Sequence, residues 1–304
     1  MSGEQVRGEK SKSDEITVIR PTIPYSITPH LSLFTIKGSP VPAIYERGEF
    51  RILLYERGQY IPLDAKISGE PWDARIRVRG PKELAKELFR ADFDSGKFLE
   101  SLQGYPRIRA LAERYMGLRP TRSLDLYTAL IETMIKQRIS LKAALKIQSR
   151  IILSLGVRKS LDGQTYYGHP PPENLLDPER LRSFGLTRMK ALALSEVAMV
   201  ELEEGFPSLR EVEDSPREVV EELQAIRGVG SWTAELAVAM TSKGFEIGPT
   251  SDLTVKRGLS RVLGIDSREE EVKKALRDLE EYAGLVMYLA SLDHEVVGHQ
   301  RPRT

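Results

Sequence analysis

The chain has 304 residues, with 45 Lys or Arg against 44 Asp or Glu and a formal net charge of +1. Overall charge therefore neither marks nor excludes a polyanionic partner; the charge on a binding face decides that. The absence of cysteine excludes disulfides, a thiol nucleophile, Cys-ligated zinc and Cys-held iron–sulfur clusters.

No apolar run is long enough to span a membrane, and no leader of basic then apolar residues opens the sequence, so a cytoplasmic protein is expected. The four histidines, His30, His169, His294 and His299, show no metal-ligand spacing. The last two read as part of a solvated tail.

In chain order, residues 1–15 are polar and charged without apolar periodicity, which predicts a disordered tail. From Ile16 to about Gly80 the pattern is strand-like, with β-branched and aromatic residues broken by Gly38, Gly48 and Gly58. The segment ARIRVRG alternates, placing Ile76 and Val78 on one face and Arg75, Arg77 and Arg79 on the other. That arginine face suits either solvent or phosphates. After Pro81 the period changes and almost everything reads as helix, except a Gly- and Pro-rich stretch over 158–172 that reads as a loop.

Ser215 to Gly244 is the most informative stretch. Ser215, Pro216 and Glu218 spell a helix start with a capping box, and Val219, Leu223 and Ile226 share one face. Gly228 fits the residue just past a helix end, and Ser231 fits the cap of the next helix. Two helices joined through Gly228-Val229-Gly230 leave a tight turn. Val229 plugs it, while the amides of the glycines and of the first turn beyond, including Ser231 and Thr233, point outward. Such an array binds a phosphate oxygen without reading sequence.

A Gly248-Pro249-Thr250 loop follows, and then Asp252 at the start of another helix, with Val255, Leu259 and Leu263 as its buried face and Gly264 at its end. A helix N-terminus stabilises an ionised carboxylate, and Lys256 and Arg257 stand close enough in sequence to add to that. Taken alone, Asp252 reads as an ordinary cap that supports the first turn of its helix.

A Gly-Val-Gly hairpin followed by a Gly/Pro loop and Asp resembles the signature of the helix-hairpin-helix, Gly/Pro-Asp superfamily of DNA glycosylases. The segment AL-x₄-IKQRIS-x₃-AL-x-I (129–147) is similar to that family's early helices and DNA-inserting loop, and FGLTRMKALAL to its second helical hairpin. The resemblance covers roughly Pro120 to Leu292; the strand-rich N-terminus resembles, by pattern only, the extra domain of the AlkA-like branch (3-methyladenine DNA glycosylase II).

The resemblance implies an α+β fold: a β-rich N-terminal domain over 16–115 and a mainly helical, two-lobed core over 116–304, with the helix-hairpin-helix at 215–244. It also implies a monofunctional glycosylase that flips a damaged, alkylated base out of double-stranded DNA. Asp252 would stabilise an oxocarbenium-like transition state. Bifunctional relatives carry a lysine nucleophile where this chain has Trp232, so strand cleavage is not expected.

Trp232 and Tyr288 are candidate base-pocket residues, though both also fit a core. Gln137 and Arg138 fall where the family inserts a wedge, with a charged Arg138 departing from the usual apolar residue. Gly228, Val229, Gly230, Ser231 and Thr233 are the candidate DNA contacts. A monomer with no membrane partner is expected, associated with the nucleoid in a prokaryote. No cofactor is implied beyond a monovalent cation bridging hairpin and phosphate. Alternatives at this stage are a non-catalytic hairpin DNA-binding protein and a glycosylase for oxidised or deaminated bases.

Overall fold

The computed structural model describes residues 16–56 and 58–300; the tail expected over 1–15 lies outside them. Five strands, β1 (Ile16–Ile19), β2 (Ile44–Glu46), β3 (Glu49–Glu56), β4 (Gln59–Ser68) and β5 (Arg75–Arg79), form one antiparallel sheet in the order β1-β5-β4-β3-β2. The β5 alternation holds. Ile76 and Val78 are fully buried, while Arg75 and Arg77 face solvent. One segment departs from the strand pattern. Thr28–Phe34 is a short helix, α1, with Pro29 in its first turn and His30 and Leu31 buried, so this part of the strand-like stretch from Ile16 to Gly80 is not a strand. Proline is preorganised for a helix start and donates no ladder hydrogen bond.

Most of the rest is helical: α2 (Lys82–Leu88), α3 (Ser95–Ser101), α4 (Pro106–Arg114), α5 (Leu126–Lys136), α6 (Leu141–Leu155), α7 (Pro178–Arg182), α8 (Arg188–Glu203), α9 (Leu209–Asp214), α10 (Pro216–Leu223), α11 (Ser231–Thr241), α12 (Leu253–Leu263), α13 (Glu269–Leu276) and α14 (Ala283–Gln300). No helix among the described residues is long and apolar enough to cross a membrane. Since α14 runs to Gln300, the tail expected around His294 and His299 is helix instead, and His294 is half-buried.

The stretch expected to be a loop is a second hairpin, β6 (Val157–Leu161) and β7 (Gln164–Gly168), joined through Asp162-Gly163 with φ of 49° and 74°. Asp-Gly between alternating residues is a strong hairpin signal; the flanking glycines and prolines hid it. Tyr166 anchors the hairpin, buried and donating its hydroxyl to Asp64 on β4, and the Tyr60 hydroxyl donates to the His169 carbonyl at 2.8 Å.

Three apolar clusters divide the interior. One gathers the sheet's inner face with Leu31, Leu88 and Phe89; a second gathers α5, α6, α8, α10 and α11; a third gathers α3, α4, α12 and α14. Two buried arginines join the first two by capping the C-terminal end of α11. The Arg90 guanidinium donates to the carbonyls of Ser242 (2.6 Å) and Lys243 (2.9 Å), and Arg122 Nε donates to Thr241 O (2.7 Å). Cations suit the unsatisfied carbonyls at a helix end. Burial, opposed only in part by Glu87 and Glu246, lowers the Arg90 pKa to about 9. At the third cluster, buried Asp293 on α14 accepts from Arg114 and Tyr115 and pairs with Arg261, tying α4 and α12 to α14. These ties hold the far ends of α11 and α12, the two helices whose starts carry the site.

Candidate active site

The hairpin is built differently from its sequence reading. Ser215 makes no capping bond, and the capping box falls one helix earlier, between Ser208 and Glu211. Ser208 adopts the extended backbone that a cap needs, while Ser215 closes α9 and cannot. The α10 helix ends at Leu223, so Gly228 lies beyond several turn residues rather than just past the helix; the cap of α11 is Gly230, not Ser231.

The corner itself is as expected except at Thr233, whose amide closes the first turn onto Gly230 O and whose side chain is buried, so it is no outward contact. Val229 is buried, and Gly228, Gly230 and Ser231 are exposed. The two glycines are needed for different reasons. Gly228 has φ of 91°, and a Cβ there would lie 2.4 Å from Ala193 Cβ, so the fold itself demands glycine. Gly230 has φ of −90°, and a Cβ would meet nothing within 4 Å. Nothing inside the molecule requires glycine there. Among the described residues the amides of Gly230, Ser231 and Trp232 have no acceptor, whereas those of Thr233 and Ala234 bond Gly230 O. Thr233 is buried, its hydroxyl accepting from Gln137 Nε2 at 2.8 Å.

Gln137 and Arg138 lie in the short connection from α5 to α6, as expected, but only Gln137 bonds the hairpin. The Gln137 amide is turned inward onto Thr233 and, at 3.3 Å, the Gly228 carbonyl. Lys190 on α8 holds the same connection from behind, donating to Ile135 O (2.9 Å) and Gln137 O (2.6 Å). Arg138 is exposed with φ of 52°, and the next residue, Ile139, is also exposed.

Asp252 caps α12. Its Oδ1 accepts from the amides of Thr254 (2.8 Å) and Val255 (3.0 Å), and its Oδ2 accepts from the indole Nε1 of Trp232 (2.8 Å). Lys256 and Arg257 make no contact with it; two backbone amides and an indole hold the carboxylate instead. Val255 and Leu259 are buried beneath and Gly264, with φ of 70°, ends the helix.

Asp252 and Trp232 line a cavity of about 460 Å³ that also takes in His30, Phe34, Asp125, Glu132, Lys136, Gln148, His169 and Tyr288. That volume falls within the range of roughly 300–1,000 Å³ usual for small-ligand sites. Tyr288 lies on its wall, its hydroxyl 3.0 Å from His30 Nδ1, and burial pushes the phenol pKa upward. The other His30 nitrogen is 3.1 Å from Thr121 Oγ1; burial and then Lys136 lower the imidazole pKa to about 3, so His30 is neutral at pH 7.

On the same cavity wall, Lys136 Nζ lies 2.9 Å from Glu132 Oε2, and Glu132 Oε1 lies 3.3 Å from His169 Nε2. Burial raises the Glu132 pKa, but Lys136 and His169 together outweigh it and hold the group at about 2. Asp125 goes the other way: burial pushes its carboxyl up to about 7 against the Thr128 hydrogen bonds. Asp125 caps α5, and Glu132 and Lys136 lie on it as an i,i+4 pair, whereas His30 and His169 come from distant parts of the chain; none of them stands out in the sequence as a site. Among the described residues no group of three or more His, Asp or Glu is arranged to hold a metal ion.

No protein-family model matches the chain. Over 189 residues it is 28% identical to DNA-3-methyladenine glycosylase 1 of Schizosaccharomyces pombe, covering 60% of this chain and 76% of that protein. Over 150 residues it is 26% identical to the DNA-3-methyladenine glycosylase of Bacillus subtilis, covering 49% and 50%. Among solved structures, the 3-methyladenine DNA-glycosylase of Archaeoglobus fulgidus superposes with a TM-score of 0.79 at 25% identity, over 92% of this chain and 98% of that one. The chain is related to the helix-hairpin-helix DNA glycosylases. Its Gly-Val-Gly corner and Asp252 stand in one constellation, linked by Trp232, which sits one turn from the first and bonded to the second.

Proposed function

We propose that the protein is a monofunctional DNA glycosylase of base excision repair that hydrolyses the N-glycosidic bond of alkylated bases in double-stranded DNA, most like the AlkA branch. The observation that carries this is the ionisable Asp252 carboxylate held at the mouth of a helix and on the wall of a base-sized cavity, beside an exposed array of free amides. Breaking a glycosidic bond builds positive charge on the sugar, and a fixed carboxylate stabilises it while orienting the attacking water. Trp232 and Tyr288 contribute aromatic surface to the cavity, and an indole face suits the positive charge of an alkylated purine.

The amides of Gly230, Ser231 and Trp232 grip a phosphate of the same strand. A monovalent cation fits beside them: the Ile226 and Gly228 carbonyls each accept one hydrogen bond, leaving a lone pair for such an ion. Exposed Arg138 and Ile139 fill the gap left by the flipped base, and Gln137 braces them against the hairpin. On this reading residues 16–115 form an N-terminal domain and 116–304 the catalytic core, acting as a monomer in the cytoplasm. A hairpin protein that only binds DNA would have no use for a carboxylate lining a cavity.

The test is a panel of duplexes, each with one lesion. The expected product is an abasic site without a strand break until alkali or heat is applied. Breaks made by the protein itself, trapped as a covalent adduct by borohydride, would reject the monofunctional assignment.

A further inference from the structure

The α5–α6 connection, from Gln137 to Ser140, exposes Arg138, Ile139 and Ser140. Two different elements hold it. The Gln137 side chain ties it to the hairpin through Thr233 and the Gly228 carbonyl. Its backbone is tied to α8, where Lys190 Nζ donates to Ile135 O at 2.9 Å and to Gln137 O at 2.6 Å. Ile135 lies in the last turn of α5, whose carbonyls have no partner within the helix, and a cation suits that end. One ammonium thus fixes both where α5 stops and where the chain turns away.

The needs of α8 do not explain a lysine at this place. Lys190 lies in the first turn of α8, behind the Thr187 cap, and the dipole of a helix disfavours a cation there. Arg188 and Met189 of the same turn are exposed, whereas Lys190 is half-buried, and that burial lowers its pKa. Among the described residues it is paired with no carboxylate; its acceptors are the two carbonyls of the connection. For α8 alone a neutral side chain is the better choice. What the charge gains is the hold on α5 and the connection.

Extruding a stacked base costs a few kcal/mol, and on the reading above that load falls on Arg138 and Ile139. Arg138 already sits at φ of 52°. With Gln137 as the only tie, the backbone is free to pivot about one side-chain bond; a tie to the carbonyls themselves removes that freedom. We propose that Lys190 is a positioning residue for base extrusion, locking the backbone of the α5–α6 connection so that Arg138 and Ile139 meet the base stack as a rigid edge. The inference rests on the glycosylase reading and concerns the step before any bond breaks. Lys190 does not line the cavity, so its effect depends on how firmly the target base is paired and stacked, not on the chemistry of its release.

The experiment measures single-turnover release of 7-methylguanine placed opposite cytosine and placed opposite an abasic site, where extrusion costs less. The proteins are wild type, Lys190→Met, which keeps the apolar stem and removes the ammonium, and Lys190→Gln, which keeps an amide donor. Lys190→Met is expected to slow release from the paired duplex roughly 10-fold and from the unpaired one by about 2-fold or less, with unchanged affinity for undamaged duplex. Lys190→Gln is expected to fall between Lys190→Met and wild type on the paired duplex. A damaged fold slows both substrates alike, so equal losses on the two would overturn the proposal, as would wild-type rates for Lys190→Met on both. Should Lys190→Met fail to fold, the same comparison in Lys190→Gln decides. A wild type that releases base from neither duplex would instead overturn the glycosylase reading beneath it.

Discussion

The indole N–H of Trp232 donates to Asp252 Oδ2 at 2.8 Å. This bond couples the first turn of α11, whose free amides face outward, to the cap of α12, whose carboxylate faces the cavity. One side chain therefore sets the distance between the grip on the strand and the charge that meets the sugar. Trp232→Phe keeps an aromatic surface and deletes only this donor. It should slow base release about 10-fold with little change in DNA affinity. In a double-mutant cycle with Asp252→Asn the losses should be far from additive, because both act through one carboxylate; single-turnover kinetics with binding titrations measure both quantities.

The two glycines of the hairpin should separate stability from binding. Gly228→Ala combines a left-handed φ with a collision against Ala193 and should cost about 1–3 kcal/mol in urea unfolding. Gly230→Asp has open space and an ordinary φ, so its melting temperature should stay near wild type. It should instead weaken binding to every sequence alike and flatten the salt dependence by about one unit of slope. Unchanged DNA affinity in Gly230→Asp would remove the phosphate grip.

Stability should respond to pH in two opposite ways. Asp125 has its carboxyl raised from 3.8 to about 7, so the folded state holds this proton more tightly than the unfolded chain. Its contribution is fully present below about pH 4 and is lost as pH rises to about 7. His30 is lowered from 6.5 to about 3; between those values the unfolded chain binds a proton that the fold refuses, and stability falls as pH falls. Asp125→Asn, which keeps a capping side chain at the start of α5, should therefore gain stability relative to wild type between pH 4 and 8. His30→Asn should soften the loss below pH 6. Urea titrations across this range give both differences.

Arg138 occupies the left-handed region, which costs an L residue roughly 1–2 kcal/mol. Arg138→Gly should not lower the melting temperature, yet it should reduce extrusion of the target base, read as a smaller rise in 2-aminopurine fluorescence on binding. Ile139→Ala serves as the companion: whichever variant loses more of the signal carries the wedge.

The sequence announced the parts of this molecule that depend on local rules. The Val229 plug, the positive φ at Gly228, the cap at Asp252 and the Ile76–Val78 face of β5 all follow from glycine chemistry, helix-end electrostatics or strand alternation, and all are present. Errors came where a neighbouring signal was stronger. Asp162-Gly163 was lost among flanking prolines, and the Ser215-Glu218 spacing matched a capping box that Ser208-Glu211 forms instead. Of the polar wall, only the i,i+4 spacing of Glu132 and Lys136 follows a local rule. His30, Glu132 and His169 meet only because α1, α5 and the segment after β7 converge on one cavity, and no spacing rule relates residues so far apart.

The most direct measurement follows 7-methylguanine release from duplex DNA by wild type and Asp252→Asn at equal saturation. If the carboxylate stabilises the developing sugar cation, wild type leaves alkali-labile abasic sites and Asp252→Asn is slower by about 100-fold or more at unchanged DNA affinity. Equal rates for the two proteins would contradict the assignment of Asp252 and with it the reading of this site as catalytic.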